Sequence, residues 1–396
     1  MSCYERASAG GHALTGSPRI RVTFVNAIGT TPGGAERTLG TFLASVPPDV
    51  EPSAILFEDG SFADELRGYG VDVHVVNVSE RIATATREDK GVRAALDVPS
   101  AVLRVARELR EIGPSLVYTN SMKAHFIGSI ASRLSGIPCV IHFHDLFDGT
   151  PLRMLQLVSR VASTERIACS HLVADTFGVG KTTVIYAPVD VASYGALEQR
   201  DVARAKLGFT DDLPIVTLVG RINRWKGHDR FVRIAARVNA QMPVRFAIVG
   251  APIFRDADFV PELQALVAEL GMTDRVTFHP WVDDVRDVYA ASDLNANCST
   301  REPFGRTIVE AAAAGLATVC FADSGASETI VDGVTGRTIG AGDEEAFAQA
   351  ILDALRDRAG LERMGRAARD AAGRFDSPVI AGEMATVIRR AAKHRI

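Results

Sequence analysis

Twice along its length this chain alternates short β-branched runs with longer helical patterns, and that repetition narrows the possible folds more than any other feature. IRVTFVN (20–26), AILF (54–57), DVHVVN (72–77), SLVYT (115–119), CVIHF (139–143), IAC (167–169) and TVIY (183–186) read as strands, most of them separated by helical stretches such as VPSAVLRVARELREIG (98–113). A polar stretch at 192–212 holds a predicted short helix. Behind it IVTLVG (215–220), FAIVG (246–250), RVTFH (275–279), DLNANCS (293–299) and LATVCF (316–321) resume the pattern. Strands joined by helices form parallel sheets covered on both faces. The expected fold is α/β, with two Rossmann-like doubly wound parallel-sheet domains facing a cleft and ligands bound beyond the carboxyl ends of the strands. A length of 396 residues exceeds what one core usually supports, which agrees with two domains. The chain divides into a loose leader (1–18), a first domain (19–190), a linker (191–213), a second domain (214–373) and a terminal segment (374–396). An apolar helix near 378–392 follows a break at 373–377.

Composition adds mainly exclusions. A formal net charge of −4 gives no global attraction to nucleic acid or acidic membranes, so local basic groups must do any phosphate binding. The five cysteines, Cys3, Cys139, Cys169, Cys298 and Cys320, are scattered and form no C-x-x-C pair. Neither a disulfide framework nor a zinc site is expected, and reduced thiols fit a cytoplasmic protein. No signal peptide and no transmembrane segment is read, which leaves only peripheral contact with a membrane open.

The motifs fall where strands give way to helices. Arg301-Glu302-Pro303-Phe304-Gly305-Arg306-Thr307-Ile308-Val309-Glu310 places one carboxylate just before a helix and another inside it. Helix N-termini offer unpaired amides and a positive dipole end, which suit a diphosphate, while carboxylates accept hydrogen bonds from sugar hydroxyls. Acids are favoured in the first turn of any helix, so the spacing alone makes no site. Near the first strand, Gly33 and Gly34 let backbone approach a ligand closely; a plain tight turn would look the same. His142 and His144 alternate on one strand and share a face, with no third metal ligand of suitable spacing nearby, and His144 is the better substrate contact. In Gly220-Arg221-Ile222-Asn223-Arg224-Trp225-Lys226-Gly227 the fork of Arg221 and the point charge of Lys226 can reach one phosphate pair from two sides. GVGKTT (178–183) imitates a P-loop but precedes a strand and has Asp175 where the leading glycine belongs. Asp256-Ala257-Asp258 reads as a solvated loop.

Together and in this order, these motifs resemble the retaining glycosyltransferase family 4, the glycosyl transferases group 1, whose architecture is GT-B. The carriers are GGAE (33–36), HD (144–145), GRINRWKG (220–227), EPFGRTIVEA (302–311) and SGASETIVDGVTG (324–336). The resemblance implies a hexosyltransferase-type enzyme with a nucleotide-diphosphate sugar, UDP- or GDP-linked, as co-substrate. It implies no other cofactor and no metal. Arg221 and Lys226 match the pair that neutralises the donor diphosphate, Glu302 the acid on the transferred sugar, and Glu310 the acid on the ribose. Gly305, Arg306, Thr307 and Ile308 would supply backbone donors. Gly33 and Gly34 would face the phosphates across the cleft, His144 would lie near sugar and acceptor, and Gly220 and Phe304 complete the expected donor site. The terminal helix of this architecture crosses back to the first domain.

Two stretches depart from the family pattern. Tyr186-Ala187-Pro188-Val189-Asp190 replaces a glycine and asparagine before Val-Asp, and Ser324-Gly325-Ala326-Ser327-Glu328 replaces Gly-Gly-x-x-Glu. The expected reaction is front-face transfer with retention, the departing phosphate helping to deprotonate the acceptor hydroxyl. The acceptor, be it small molecule, lipid or polysaccharide, is expected to meet the first domain near 80–100 and 119–123. Rival readings are a nucleotide-sugar epimerase, a pyridoxal-dependent phosphorylase and a non-catalytic nucleotide-binding module.

Overall fold

A computed structural model describes residues 19–30, 33–84, 96–252, 254–282 and 284–394. The expected leader lies outside the described residues, as does the middle of the 80–100 stretch. The first half runs β1 (Ile20–Asn26), α1 (Gly34–Ala44), β2 (Val50–Leu56), α2 (Ser61–Gly68), β3 (Asp72–Val75), α3 (Glu80–Thr84), α4 (Val98–Ile112), β4 (Leu116–Thr119), α5 (Met122–Leu134), β5 (Cys139–Phe143), α6 (Gly149–Ala162), β6 (Glu165–Ala168), α7 (His171–Phe177) and β7 (Thr183–Val184). The second half runs α8 (Arg200–Lys206), β8 (Ile215–Val219), α9 (His228–Asn239), β9 (Arg245–Val249), α10 (Phe259–Glu269), β10 (Val276–His279), α11 (Arg286–Ala291), β11 (Leu294–Asn297), α12 (Arg306–Ala313), β12 (Thr318–Phe321), β13 (Gly336–Ile339), α13 (Glu344–Arg356) and α14 (Arg358–Ala372). The last described helix is α15 (Ser377–Ala391).

Both sheets are parallel, as the alternation requires. Among the described residues one has seven strands in the order β3-β2-β1-β4-β5-β6-β7 and the other six in the order β10-β9-β8-β11-β12-β13. Each order reverses direction once, so right-handed crossovers put α1 and α2 on one face of the first sheet and α4 to α7 on the other. The reversal separates the loops after β1 and β4, and likewise those after β8 and β11, opening a crevice at each carboxyl edge.

Expected strands recur with shifted ends. The second begins at Val50, four residues before AILF, and contains Pro52. Pro52 pairs with Val22 of β1, while β3 joins β2 only from Ser53 onward, so the missing proline N–H falls beyond the β3 ladder. β13 was not expected from the sequence. GRTI is an edge strand with few apolar residues, and Gly336 is required because a Cβ there would lie 2.3 Å from the Thr318 carbonyl oxygen.

A large core joins α4 to α7 with the first sheet, and another fills the second sheet between α9, α10 and α13. The helix α15 follows the second sheet in sequence yet packs on the first. Its Ile380, Met384 and Ile388 are buried with Phe24, Phe42 and Phe62, each such side chain contributing about 1.5–3 kcal/mol. Arg389 holds Asp49 at 2.7 and 2.9 Å, and Arg390 holds Glu165 at 2.6 and 2.8 Å.

Candidate functional site

The loop after β8 is shaped by Asn223, whose side chain accepts the Lys226 amide at 3.1 Å and caps a short 3-10 turn over Arg224–Lys226. Gly227 ends that turn with φ of 71°, and a Cβ there would meet the Cys298 carbonyl oxygen at 2.2 Å. Only glycine fits, and the close approach draws this loop against the one after β11. Thr300 N–H to Trp225 O at 3.2 Å closes the same junction.

Lys226 and Glu302 meet there. The Lys226 Nζ donates to Glu302 Oε2, and Ser299 Oγ donates to the same oxygen at 3.1 Å. Glu302 is 6% exposed and Lys226 lies over the Trp225 ring at 4.4 Å. A carboxylate so buried needs its cation and its hydroxyl. Ser299 and Asn223 hold these two candidate residues in place, and sequence reading passed over both; the i+3 step from Ser299 to Glu302 and the Asn three residues before Lys226 were the available signals.

Behind Glu302, Gly305 adopts φ of 87° as the N-cap of α12. A Cβ there would lie 3.0 Å from the Ala326 Cβ. The first helical residues, Arg306 and Thr307, have amides with no intrahelical acceptor. The Ile308 amide, expected as a donor, is instead spent on Gly305 O at 2.8 Å, because the turn at the helix start closes on itself. The ring of Phe304 is likewise unavailable. It is buried, with its centroid 5.5 Å from that of Tyr186 and 5.7 Å from that of Phe375, so it belongs to the joint between the two halves. Glu310 sits on α12 facing Arg306, whose Nε donates to Glu310 Oε1 at 2.8 Å while its Nη1 donates to Pro188 O at 3.0 Å. Glu302 and Glu310 thus stand on either side of the helix start, as their spacing implied, each with a cation already beside it.

Across the cleft the β1–α1 loop faces Arg221. A Cβ on Gly33 would lie 3.0 Å from Arg221 Nη2 and 2.9 Å from Glu36 Oε2, so glycine lets the guanidinium approach the first half. Gly34, the first residue of α1, has open space around it, and Gly220 carries the Lys226 stem 3.8 Å from its Cβ position. Among the described residues Arg221 makes no hydrogen bond or ion pair. Glu36 is buried, accepts the Gly33 amide at 3.0 Å, and has its pKa raised chiefly by burial.

His142 and His144 do point the same way, with ring centroids 3.8 Å apart. His142 is fully buried and bonded to Tyr118 Oη at 2.6 Å, whereas His144 is half-buried at the cleft. Asn120 donates its amide nitrogen to Ala35 O at 3.0 Å, which turns its oxygen toward His144 Nε2 at 2.8 Å. Nε2 therefore carries the hydrogen and Nδ1 is an acceptor. Burial holds His144 down to about 4 against the pull of Asp145, so the ring is neutral at pH 7. Among the described residues no group of three His, Cys, Asp or Glu side chains is placed to hold a metal, and Asp256 and Asp258 lie on the 3-10 turn Phe254–Asp258 before α10. The Gly178–Gly180 bend leads into β7, away from these loops.

The halves touch at further points. Glu328 accepts the amides of His171 and Leu172, each at 2.9 Å, and the Tyr186 hydroxyl at 3.3 Å. Arg301 meets Asp148 at 2.7 Å.

This geometry has counterparts among known proteins. The model of the glycosyl transferases group 1 matches residues 199–371 and that of glycosyltransferase family 4 residues 60–193. D-inositol 3-phosphate glycosyltransferase of Nocardia farcinica is 39% identical over 180 residues, 44% of this chain and 40% of that protein. Its counterpart in Streptomyces avermitilis is 28% identical over 282 residues, 64% of this chain and 60% of that protein. The chain thus aligns with 40% of the first of these curated relatives. Anabaena HepE, solved with UDP and glucose, superposes with a TM-score of 0.80 at 28% identity, covering 94% of this chain and 100% of that one. The lipopolysaccharide glycosyltransferase WaaG shares the fold at a TM-score of 0.70 and 18% identity, covering 93% of this chain and 99% of that one. With family models on both halves and two parallel sheets facing one cleft, the chain belongs to glycosyltransferase family 4, the glycosyl transferases group 1, and has the GT-B architecture.

Proposed function

We propose that this protein is a hexosyltransferase that moves a sugar from a nucleotide-diphosphate sugar to an acceptor hydroxyl, with retention and without a metal ion. The observation that carries the reading is the convergence of Arg221, Lys226 and the start of α12 on one cleft, opposite the glycine loop of the first half. Breaking the bond between the anomeric carbon and the β-phosphate oxygen leaves positive charge on the sugar and negative charge on the diphosphate. Two cations and a helix N-terminus fixed in place stabilise that negative charge without reorganising.

A diphosphate entering the cleft draws Lys226 partly away from Glu302 and frees one carboxylate oxygen for a sugar hydroxyl. Glu310 receives the ribose hydroxyls with its oxygen not held by Arg306. His144 offers Nδ1 to the sugar or acceptor. The acceptor oxygen then bonds to the anomeric carbon from the face the phosphate leaves, and its proton passes to the departing phosphate oxygen. The donor is a UDP-sugar in preference to a GDP-sugar, a choice supported by HepE structures with UDP and with UDP-glucose at 28% and 29% identity. The protein works in the cytoplasm, a placement supported by its buried free thiols Cys139, Cys169, Cys298 and Cys320.

Thermal shift with UDP, GDP, ADP and dTDP sugars tests the donor. Transfer to an acceptor panel, with the anomeric configuration of the product read by NMR and EDTA present throughout, tests the reaction. Stabilisation by UDP-glucose and retained configuration are expected. Donor turnover with no acceptor would indicate an epimerase, and absence of any transfer a binding module.

A further inference from the structure

Helix α6 is unusual for one laid on a sheet, because it is apolar on its outer side as well as its inner. Leu155, Ser159 and Ala162 are buried, yet Met154, Leu157 and Val161 are 53%, 62% and 64% exposed. At 100° per residue the last three fall on one arc, and Arg153 and Arg160 border it. The helix has no acidic residue, and among the described residues neither arginine has an ion-pair partner. Water leaves such a stripe without compensation, and an apolar surface stripe flanked along one edge by cations suits a contact face.

The neighbouring helices extend it. Connections from β3 to β6 all step the same way, so α4, α5 and α6 line one face of the first sheet. Leu103 on α4 is 62% exposed beside Arg104, and Leu134 on α5 is 54% exposed beside Arg133. Together the three helices carry seven basic and two acidic side chains, in a chain whose formal net charge is −4. One of those acids, Glu111, is paired with Arg107 and the other, Glu108, with His74. Lys123, half-buried at the start of α5, answers Glu58, and with Arg107 paired the positive charge beside the apolar side chains is that of Arg104, Arg110, Arg133, Arg153 and Arg160. A protein partner would need an apolar surface shaped to side chains that stand singly on three helices, whereas a lipid surface needs no matched shape; a zwitterionic one would cover the leucines and leave the arginines unmatched. An anionic lipid surface satisfies both.

We propose that the outer face of α4, α5 and α6 is a docking surface for an anionic membrane, with α6 lying in the headgroup region. Asp148, the N-cap of α6, meets Arg301 of the loop that carries Glu302, so this face runs up to the mouth of the cleft. Docking there presents the cleft to acceptors held at the lipid surface. The inference concerns attachment and stands whether or not sugar transfer is the activity.

The test is co-sedimentation of the full chain with vesicles of phosphatidylcholine alone and of phosphatidylcholine mixed with phosphatidylglycerol. Binding to the mixed vesicles alone is expected, weakening as salt is raised. Arg153→Gln with Arg160→Gln should weaken it about 30-fold, on the basis of about 1 kcal/mol per basic residue near such a surface. Leu157→Gln with Val161→Gln should weaken it at least about tenfold. All four sites are exposed, so unfolding temperatures and UDP-glucose binding in solution should stay unchanged, which separates attachment from folding and from the donor site. No binding to the mixed vesicles, or equal binding by every variant, overturns the proposal. So does a dimer in sedimentation velocity that Leu157→Gln dissociates while vesicles bind nothing, since a second copy would then be what covers the face.

Discussion

Lys226 and Glu302 form one contact that the proposed function asks to serve two states. Without ligand they neutralise each other in a nearly dry pocket, with Ser299 completing the carboxylate's bonds. Replacing Lys226 by Ala removes the cation that the proposed function assigns to the diphosphate and leaves Glu302 with the Ser299 hydroxyl. The expected result is a kcat at least about a hundredfold lower, the scale of losing one preorganised oxyanion donor. Steady-state kinetics with saturating donor measure it, and a near-normal kcat would remove Lys226 from the mechanism. Glu302→Gln keeps the shape and loses the charge. Turnover should then fall more than UDP affinity if the acid serves the sugar, as the proposed function has it; if calorimetry instead shows UDP binding collapsing, the acid lies at the nucleotide end. These two residues were legible in the sequence as separate ligand contacts. Their mutual pairing was not, because it depends on Gly227 letting two loops from different strands close to van der Waals distance. The same holds for Phe304, whose place beside the Glu302 motif invited a donor role and whose ring is instead claimed by Tyr186 and Phe375, residues far from it in sequence.

Elements were easier to read than the joints between them. β1 and β5 occupy the stretches expected, since buried parallel strands announce themselves as unbroken apolar runs. β13 escaped because an edge strand needs no such run. Least visible was the 3-10 turn Gly325–Thr329, where the departure from the family's glycine pair drew attention to donor preference. Its Glu328 reaches over to the start of α7 and takes two amides there, a charge-assisted contact between halves. Such bonds contribute about 1.5–3 kcal/mol each, enough to bias an equilibrium between open and closed arrangements. Glu328→Ala should enlarge the radius of gyration of the free protein in small-angle scattering, with the compact form returning as UDP-glucose is added. Its KM for donor should rise more than its kcat falls. An unchanged scattering curve together with an unchanged KM would leave Glu328 a passive cap.

For the molecule as a whole, the buried and half-buried histidines set how acid acts on it. Burial lowers His125 to about 3, His144 and His228 to about 4, and His142 well below its ordinary range, and His279 shifts the same way. In the unfolded chain each takes up a proton near pH 6.5. Above that value neither state is protonated and the shifts cost nothing. As pH falls from about 6.5 the unfolded chain binds protons that the folded one refuses, and stability drops until the folded values are reached, by about 1.4 kcal/mol per pH unit for each histidine. Glu36, raised by burial, works in the opposite sense as a single group, since the folded state protonates it first. Asp49 and Asp211, held low by Arg389 and Arg245, respond mainly below about pH 4. Urea unfolding at pH 7 and pH 5 should therefore show a loss of several kcal/mol accompanied by net proton uptake. His228→Asn should flatten the slope by close to one proton, because Nδ1 of His228 has one carbonyl partner at 3.3 Å and its Nε2 has none among the described residues. Equal stability at the two pH values would mean that these rings find protons in the folded state, and His144, linked through Asn120 to Asn26 at 3.3 Å, would then carry charge beside the glycine loop.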